Sequence, residues 1–441
     1  LKTREYTFFG GIHPRSYKEL SNKYPIEEYL PKSQVIIPLQ QHIGAPCTPL
    51  VKVNDYVKVG QKIGEANGFV SAPVHSSVSG KVVAIEDRPS SSGKLVKSIV
   101  IESDGEFNYD DNIKPNEDIN NLKPEEIRYI VREAGIVGMG GATFPTMVKL
   151  NPPSDKKIDI VILNGAECEP YLTADHRLML EKPVDIVHGL LAIMKALGAS
   201  KGYVGIEDNK QDAIKEIRKA CKEYEGVEVA VLKTKYPQGS EKHIIKAITG
   251  REVPSGKIPA EIGVVVDNVG TAFAIAEAIK YGKPLIERVV TVTGEGIMTP
   301  KNLRVKIGTP FRELIEYCGG FKGTPGKVIS GGPMMGIAQY SIDVPVIKGT
   351  SGILVLPEDM IALKNPKPCI KCARCVDACP MNLLPLFISA YSLKNDFDKC
   401  KEYHAVDCIE CGSCSYVCPS KRPLVESIRL AKGEILRKGR K

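Results

Sequence analysis

The chain has 441 residues, is 43 % apolar, lacks Trp and carries a formal net charge of +8. That length suggests about three domains, and the apolar share supports real buried cores. Thirteen cysteines, nine of them in the last 73 residues, exclude an evenly stapled disulfide scaffold. No apolar run approaches the ~20 residues of a membrane span, and the opening residues Leu1–Glu5 carry no apolar signal stretch, so a soluble chain is expected.

Residues 1–34 are polar and Pro-rich and read as an extended lead segment. Over residues 35–103 short β-rich runs alternate with Gly and Pro turns. The halves Val53–Gln61 and Ala72–Val82 resemble the barrel-sandwich of biotinyl and lipoyl carrier domains. No lysine stands at the tip where a carrier would be modified; His75 is there instead, so this domain is expected to be a scaffold or docking module. An acidic, Asn-rich linker, Asp104–Asn121, follows.

Residues 122–284 alternate strands and helices. Pro124-Glu125-Glu126 opens a helix, with Pro and acids in the first turn. Ile158–Leu163 is a continuous buried-strand run, and Tyr203–Ile206, Val227–Leu232 and Ile262–Val266 are further strands. Asp185–Leu197, Asp212–Lys222 and Thr271–Lys280 have helical spacing. This is a doubly wound α/β layout. Residues 285–350 read as strand, helix, strand, a small β-grasp domain. A second linker from Lys364 to Pro368 leads to a helix-rich domain over 364–423, with helices expected at Leu383–Leu393 and Asp398–Tyr403. A basic tail, 424–441, ends the chain. The tail suits an acidic or membrane partner or simple solvation; nothing else resembles a nucleic-acid module, and no nucleic-acid partner is expected.

The strongest chemical signal is a repeat. Cys369, Cys372, Cys375 and Cys379 precede Pro380, and Cys408, Cys411, Cys414 and Cys418 precede Pro419. Each run is C-x2-C-x2-C-x3-C-P, the bacterial [4Fe–4S] signature, in which the fourth cysteine ligates the other cluster. One cluster is therefore assigned to Cys369, Cys372, Cys375 and Cys418, the other to Cys408, Cys411, Cys414 and Cys379. Zinc needs C-x2-C pairs separated by a longer loop. Cys47, Cys168, Cys221, Cys318 and Cys400 are left over and read as small buried hydrophobes.

A second signal is Gly135–Thr146, a glycine-rich loop that follows a helix, Glu125–Glu133, and so departs from the dinucleotide-binding pattern of strand, loop, helix. Its glycines let backbone N–H groups approach a phosphate. Two one-electron clusters in the same chain make a flavin the natural partner for a two-electron donor.

The loop resembles the flavin-binding loop of the NADH-binding subunit of respiratory complex I, reading Gly138-Met139-Gly140-Gly141-Ala142-Thr143-Phe144-Pro145-Thr146-Met147-Val148-Lys149. Three further islands follow in the family's order: Asn164–Pro170, Tyr236–Glu241 and Asp267–Thr271. The whole chain is similar to the C subunit of the Rnf electron-transport complex, which joins carrier-like, flavin, β-grasp and double-cluster domains. The resemblance implies non-covalent FMN, NAD(H) as substrate and two [4Fe–4S] clusters. It implies a peripheral subunit on the cytoplasmic face of the cell membrane. Its partners would be integral membrane and iron–sulfur subunits, and ferredoxin indirectly. The complex moves Na⁺ or H⁺ as electrons pass between ferredoxin and NAD.

On the same resemblance Gly138, Gly140, Gly141 and Lys149 hold the FMN phosphate region. Asn164, Asp267 and Asn268 bond the flavin or its ribityl chain, and Phe144 stacks on the nicotinamide or adenine. Glu167 and Glu169 line the dinucleotide site, with Glu167 repelling a 2′-phosphate. Tyr236, Gly239 and Glu241 shape the flavin pocket from the opposite side. Hydride transfer needs aligned rings, so no catalytic acid or base is named. Thr143, Met139 and Ser240 depart from the family's glycine, arginine and glutamate. Two other readings stand: a soluble flavin-dependent NADH dehydrogenase or hydrogenase diaphorase subunit, and a flavin-free iron–sulfur conduit.

Overall fold

The computed structural model describes residues 6–116, 118–140, 143–361 and 365–438. Gly141, the last three residues of the basic tail, the first five of the lead segment and Lys364 of the second linker lie outside them.

Four parallel strands form the middle of the chain: Ile160–Asn164, Lys201–Glu207, Val227–Leu232 and Val264–Asn268. Side by side they run third, second, first, fourth. Alternation along the first strand feeds two cores. Val161 and Leu163 pack toward the helices Pro183–Leu197 and Val269–Tyr281, while Ile160 and Ile162 pack with Ile244 and Ile245 of the helix Glu241–Thr249. Covering both faces is what a parallel sheet of β-branched residues requires. Gly189 lets the first two helices touch, since a Cβ there would lie 1.9 Å from the Ala272 carbonyl oxygen. The first and fourth strands are neighbours, with Asn164 opposite Asn268 at their carboxyl ends. The chain passes from the third strand, at one edge, to the fourth, beside the first, and ligands of such open sheets bind at the carboxyl ends of the strands where the order switches.

The barrel-sandwich is built from an antiparallel sheet of Gln34–Pro38, Leu95–Ser103, Gly80–Pro89 and Tyr56–Val57, closed by Thr48–Pro49, Lys62–Glu65 and Val74–His75. Val35, Ile37, Ile63, Val74, Val82, Ile99 and Ile101 fill it. His75 is buried in this wall, and burial, reinforced by the nearby Lys348 charge, holds its imidazole neutral.

A six-stranded sheet follows the flavin-like unit in sequence but borrows its edge from the lead segment. Ile26–Tyr29 runs parallel to Lys301–Lys306, which continues through Glu287–Thr293, Gly352–Pro357, Pro325–Ser330 and Ile337–Ala338. The lead segment also bridges Leu232 from Tyr6 and Tyr236 from Ile12. Four residues, Ile-Glu-Glu-Tyr, carry too little periodicity to announce a strand whose partner lies so far along the chain. Leu424–Lys438 is a helix, not a loose tail: Leu424, Ile428 and Ala431 recur at helical spacing and are buried on the cysteine-rich domain. That domain also contains the helices Pro385–Ser392 and Phe397–Glu402. No helix among the described residues is long and apolar enough to cross a membrane.

Candidate functional site

The switch-point crevice is lined by two asparagines whose amides brace it. Asn268 caps the helix Val269–Tyr281: its Oδ1 accepts from the Gly270 N–H at 2.8 Å. Its Nδ2 donates to Asp175 at 2.7 Å and to the Asn164 carbonyl at 3.3 Å. Asn164 donates to the Gly239 carbonyl at 2.7 Å and accepts from the Ala166 N–H at 3.1 Å. These bonds tie together the ends of two strands, the Glu-containing loop after Asn164 and the turn at Gly239.

The glycine loop presses on the same place. A Cβ at Gly140 would stand 2.8 Å from Asn268 Nδ2, so the close approach needs glycine there. Gly138 donates to the Phe144 carbonyl at 2.9 Å and closes the loop; Phe144 itself is half-buried. Met139 donates to Thr271 Oγ1 at 3.0 Å and accepts from Arg288 at 2.9 Å. Arg288 and Lys348 come from beyond the α/β unit. Arg288 also donates to the Lys348 carbonyl, and the buried Lys348 ammonium donates to Pro73 and Gly135. The loop is thus anchored by the six-stranded sheet and the barrel-sandwich together. Neither cation carries a motif, and only the tertiary fold brings them here.

Lys149 lies under this floor. Its ammonium donates to the Val266 carbonyl at 2.6 Å, with Glu241 at 3.4 Å and Asp267 at 3.6 Å. Burial opposes its charge, but those two carboxylates outweigh burial and raise its pKa. Asp267 is buried with neither oxygen hydrogen-bonded, and burial raises its pKa against the pull of Lys149. Glu241 is exposed at the start of its helix.

Glu167 and Glu169 are held by backbone amides. Glu167, at φ 44°, accepts from the Asp175 and His176 N–H groups at 2.7 and 3.2 Å, opening the helix Ala174–Glu181. Glu169 accepts from Met334 and Met335 at 3.0 and 2.8 Å, and burial pushes its carboxyl up to about 7. Beneath both, Lys18 of the lead segment donates to the carbonyls of Glu167, Glu169 and Leu172 and lies 3.9 Å from the Glu167 carboxylate. Nothing in the sequence around Lys18 signals this role.

Tyr236 faces the cysteines. It is buried, and its phenol donates to the Cys411 carbonyl at 2.8 Å. His243 reaches the Pro380 carbonyl at 2.9 Å, and Gly11 donates to Ala378 at 3.1 Å. Ile12, Tyr236, Ala378 and Cys411 share one apolar cluster, with Cys168 and Met334 against it. Gly239 packs beside Cys168, donating to its Sγ at 3.3 Å.

The thiols fall into two sets. Cys369, Cys372, Cys375 and Cys418 line one cavity. Cys379, Cys408, Cys411 and Cys414 adjoin one another: burial lifts Cys408 to about 11, and the Cys411 and Cys379 thiols add to it. Cys414 is raised in the same way by burial and then by Cys408, Cys411 and Cys379. Each set supplies four sulfur donors, the donor chemistry of a [4Fe–4S] cubane. Of the remaining cysteines, Cys47, Cys221, Cys318 and Cys400 are buried and Cys168 is half-buried. For an FMN the crevice would offer the close backbone approach that Gly140 allows and the buried carboxylate of Asp267, whose oxygens accept no hydrogen bond among the described residues.

Comparison with known proteins finds four family models in order along the chain. Residues 6–106 match the RnfC barrel sandwich hybrid domain, 131–277 the Nuo51 FMN-binding domain, 289–338 the SLBB domain and 368–421 the 4Fe-4S dicluster domain. The region read from sequence as β-grasp therefore carries the SLBB match. The chain is 55 % identical over 441 residues, all of both chains, to the C subunit of the Na(+)-translocating ferredoxin:NAD(+) oxidoreductase complex of Acetobacterium woodii. It is 50 % identical to the C subunit of the proton-translocating complex of Clostridium ljungdahlii, across 97 % of this chain and 94 % of that one. It is 44 % identical to the C subunit of the ion-translocating oxidoreductase complex of Rhodobacter capsulatus, across 98 % and 84 %. Matched end to end at these identities, the chain belongs to the C-subunit family of the ion-translocating ferredoxin:NAD⁺ oxidoreductases.

Proposed function

We propose that the chain is the NAD(H)- and FMN-binding peripheral subunit of a membrane complex. That complex couples electron exchange between ferredoxin and NAD to Na⁺ or H⁺ translocation. Relatives of nearly equal identity are named for different ions, so the ion is left open between the two. Integral membrane and iron–sulfur subunits are its partners, at the cytoplasmic face of the membrane.

The observation that carries this reading is the Tyr236–Cys411 contact, which seats one four-thiol set directly against the crevice. A two-electron site and a one-electron site share a wall. FMN, when bound, supplies a carrier that takes two electrons from a nicotinamide and releases them singly. The chain's own part is to hold and to insulate. Asn164 and Asn268 fix the crevice ends, and Gly140 admits a ligand close to the backbone. Gly138, Gly141 and Lys149 hold its phosphate end, and Asp267 takes its hydroxyls. Phe144 offers a ring face for stacking. Glu167 and Glu169, pinned by Lys18, line the nucleotide side, and Gly239 and Glu241 the other. Cys369, Cys372, Cys375 and Cys418 hold one cluster, and Cys379, Cys408, Cys411 and Cys414 hold the other.

The test is made on anaerobically reconstituted protein. One FMN and about eight irons per chain are expected, with NADH bleaching the flavin and reducing clusters. The protein should stay with membranes in gentle lysis. Wholly soluble behaviour without integral partners would favour the diaphorase reading, and absence of flavin the conduit reading.

A further inference from the structure

The two thiol sets differ in what surrounds them. Cys379, Cys411 and Cys414 are buried and Cys408 is half-buried, and Cys411 packs with Ile12, Tyr236 and Met334. At the other end Cys369 and Cys372 are exposed, and Ile370 between them is 67 % exposed. The cavity these thiols share with Cys375 and Cys418 is also lined by Lys371, Arg374 and Arg422, and by no carboxylate. Lys367 and Lys421 flank it, and the Lys367 N–H donates to the carbonyl of Ser420, next to Lys421, at 2.9 Å. Lys367, Lys371, Arg374 and Lys421 are exposed. None of these five cations makes an ion pair among the described residues, although pairs such as Arg15–Glu19 and Arg437–Glu434 form elsewhere on the surface. The exposed carboxylates nearest in sequence, Asp377 and Glu426, do not line the cavity.

Five unpaired cations around an apolar tip have a cost in mutual repulsion that a partner of opposite charge relieves. Exposed ligand thiols add the chemistry: they mark the place where electrons can enter or leave the chain. We propose that this face docks an acidic iron–sulfur protein, with Lys367, Lys371, Arg374, Lys421 and Arg422 framing the contact and Ile370 at its centre. The inference rests on the reading that these cysteines hold a cluster. The exchange it permits moves one electron with no bond made or broken: one centre is oxidised as the other is reduced.

The experiment is titration calorimetry of the full reconstituted chain with an oxidised, acidic two-cluster bacterial ferredoxin as probe, at about 25 and about 300 mM salt, on either side of physiological screening. The expected result is saturable binding that weakens about tenfold or more at the higher salt, as screening shortens the reach of charge. K371E/R374E/K421E should weaken it about tenfold at low salt, and the milder K371Q/R374Q by less. K201E, an exposed lysine on the central sheet, should change it less than about twofold. Equal binding by wild type and both cavity variants would overturn the proposal, as would equal weakening by K201E. Retention on vesicles of equal phosphatidylglycerol and phosphatidylcholine, lost in the variants while ferredoxin binding stands, would assign the face to a membrane and overturn it too. Iron content separates the two layers: fewer than about eight irons with intact salt-sensitive binding would sink the cluster reading and leave the docking face standing.

Discussion

The phenol of Tyr236 donates to the carbonyl of Cys411 across the boundary between the α/β unit and the cysteine-rich domain, at 2.8 Å. Both groups are buried, so the bond has no ready replacement from water. Tyr236→Phe should cost about 1 kcal/mol, read as a fall of about 2–4 °C in melting temperature. Iron content should hold. An unchanged melting temperature would show that the two domains do not depend on this bond.

Gly140 sits where any Cβ would meet Asn268. Gly140→Val should displace the Asn268 amide and lower FMN affinity at least about tenfold, measured by fluorescence titration, with both clusters retained. Full flavin affinity in the variant would remove the loop from the flavin site.

Cys375→Ala and Cys379→Ala should each lower iron to about four per chain, yet leave different clusters behind. Cys379 stands among Cys408, Cys411 and Cys414, whereas Cys375 lines the cavity with Cys369, Cys372 and Cys418. Identical electron paramagnetic resonance spectra from the two variants would reject the crossed assignment.

Lys348 gives a pH test. Burial lowers its pKa from 10.5 to about 8. Between those values the unfolded chain holds the proton and the folded chain releases it, so this residue's contribution to stability rises with pH across that window. Below pH 8 the burial cost is felt in full. Relative to Lys348→Gln, wild type should therefore gain up to about 3 kcal/mol on passing from pH 8 to 10.5. Lys283, also lowered to about 8 by burial, is common to both and cancels in the difference. A pH-independent difference would show that the ammonium stays charged throughout.

Glu167 opens a helix and stands over Lys18. Glu167→Ala should cost about 1–2 kcal/mol through the lost cap. If its carboxylate also faces the adenosine ribose, Glu167→Gln should raise the rate of flavin reduction by NADPH relative to NADH. An unchanged ratio would leave Glu167 with the structural role alone.

The motifs are legible because they are local. Two eleven-residue cysteine runs, a glycine loop and three short islands each contain their whole message. The α/β strands can be read for the same reason, since Ile160–Leu163 is uniformly apolar and mostly β-branched. The helix Ala174–Glu181 has no such signal; it has little amphipathic contrast and opens on Glu167, seven residues before it, not on a side chain at its own start. Lys18, Arg288 and Lys348 stay invisible because each acts by donating to backbone carbonyls of distant segments. Any exposed lysine has the same local sequence context as these. The exposure of Cys369 and Cys372 against the burial of their counterparts is also beyond a motif, because the two runs have identical spacing.

The lead segment's strand has a consequence for synthesis. Glu27 and Lys301, joined across the sheet edge, lie 274 positions apart. At roughly 5–20 residues per second, the ribosome needs about 15–55 s to make the intervening chain. Throughout that wait Ile26–Tyr29 is an unpaired edge, open to the wrong neighbour. The six-stranded sheet is therefore among the last parts able to close. An excised fragment beginning after residue 34 would lack both this edge strand and the Lys18 clasp, however intact its motifs.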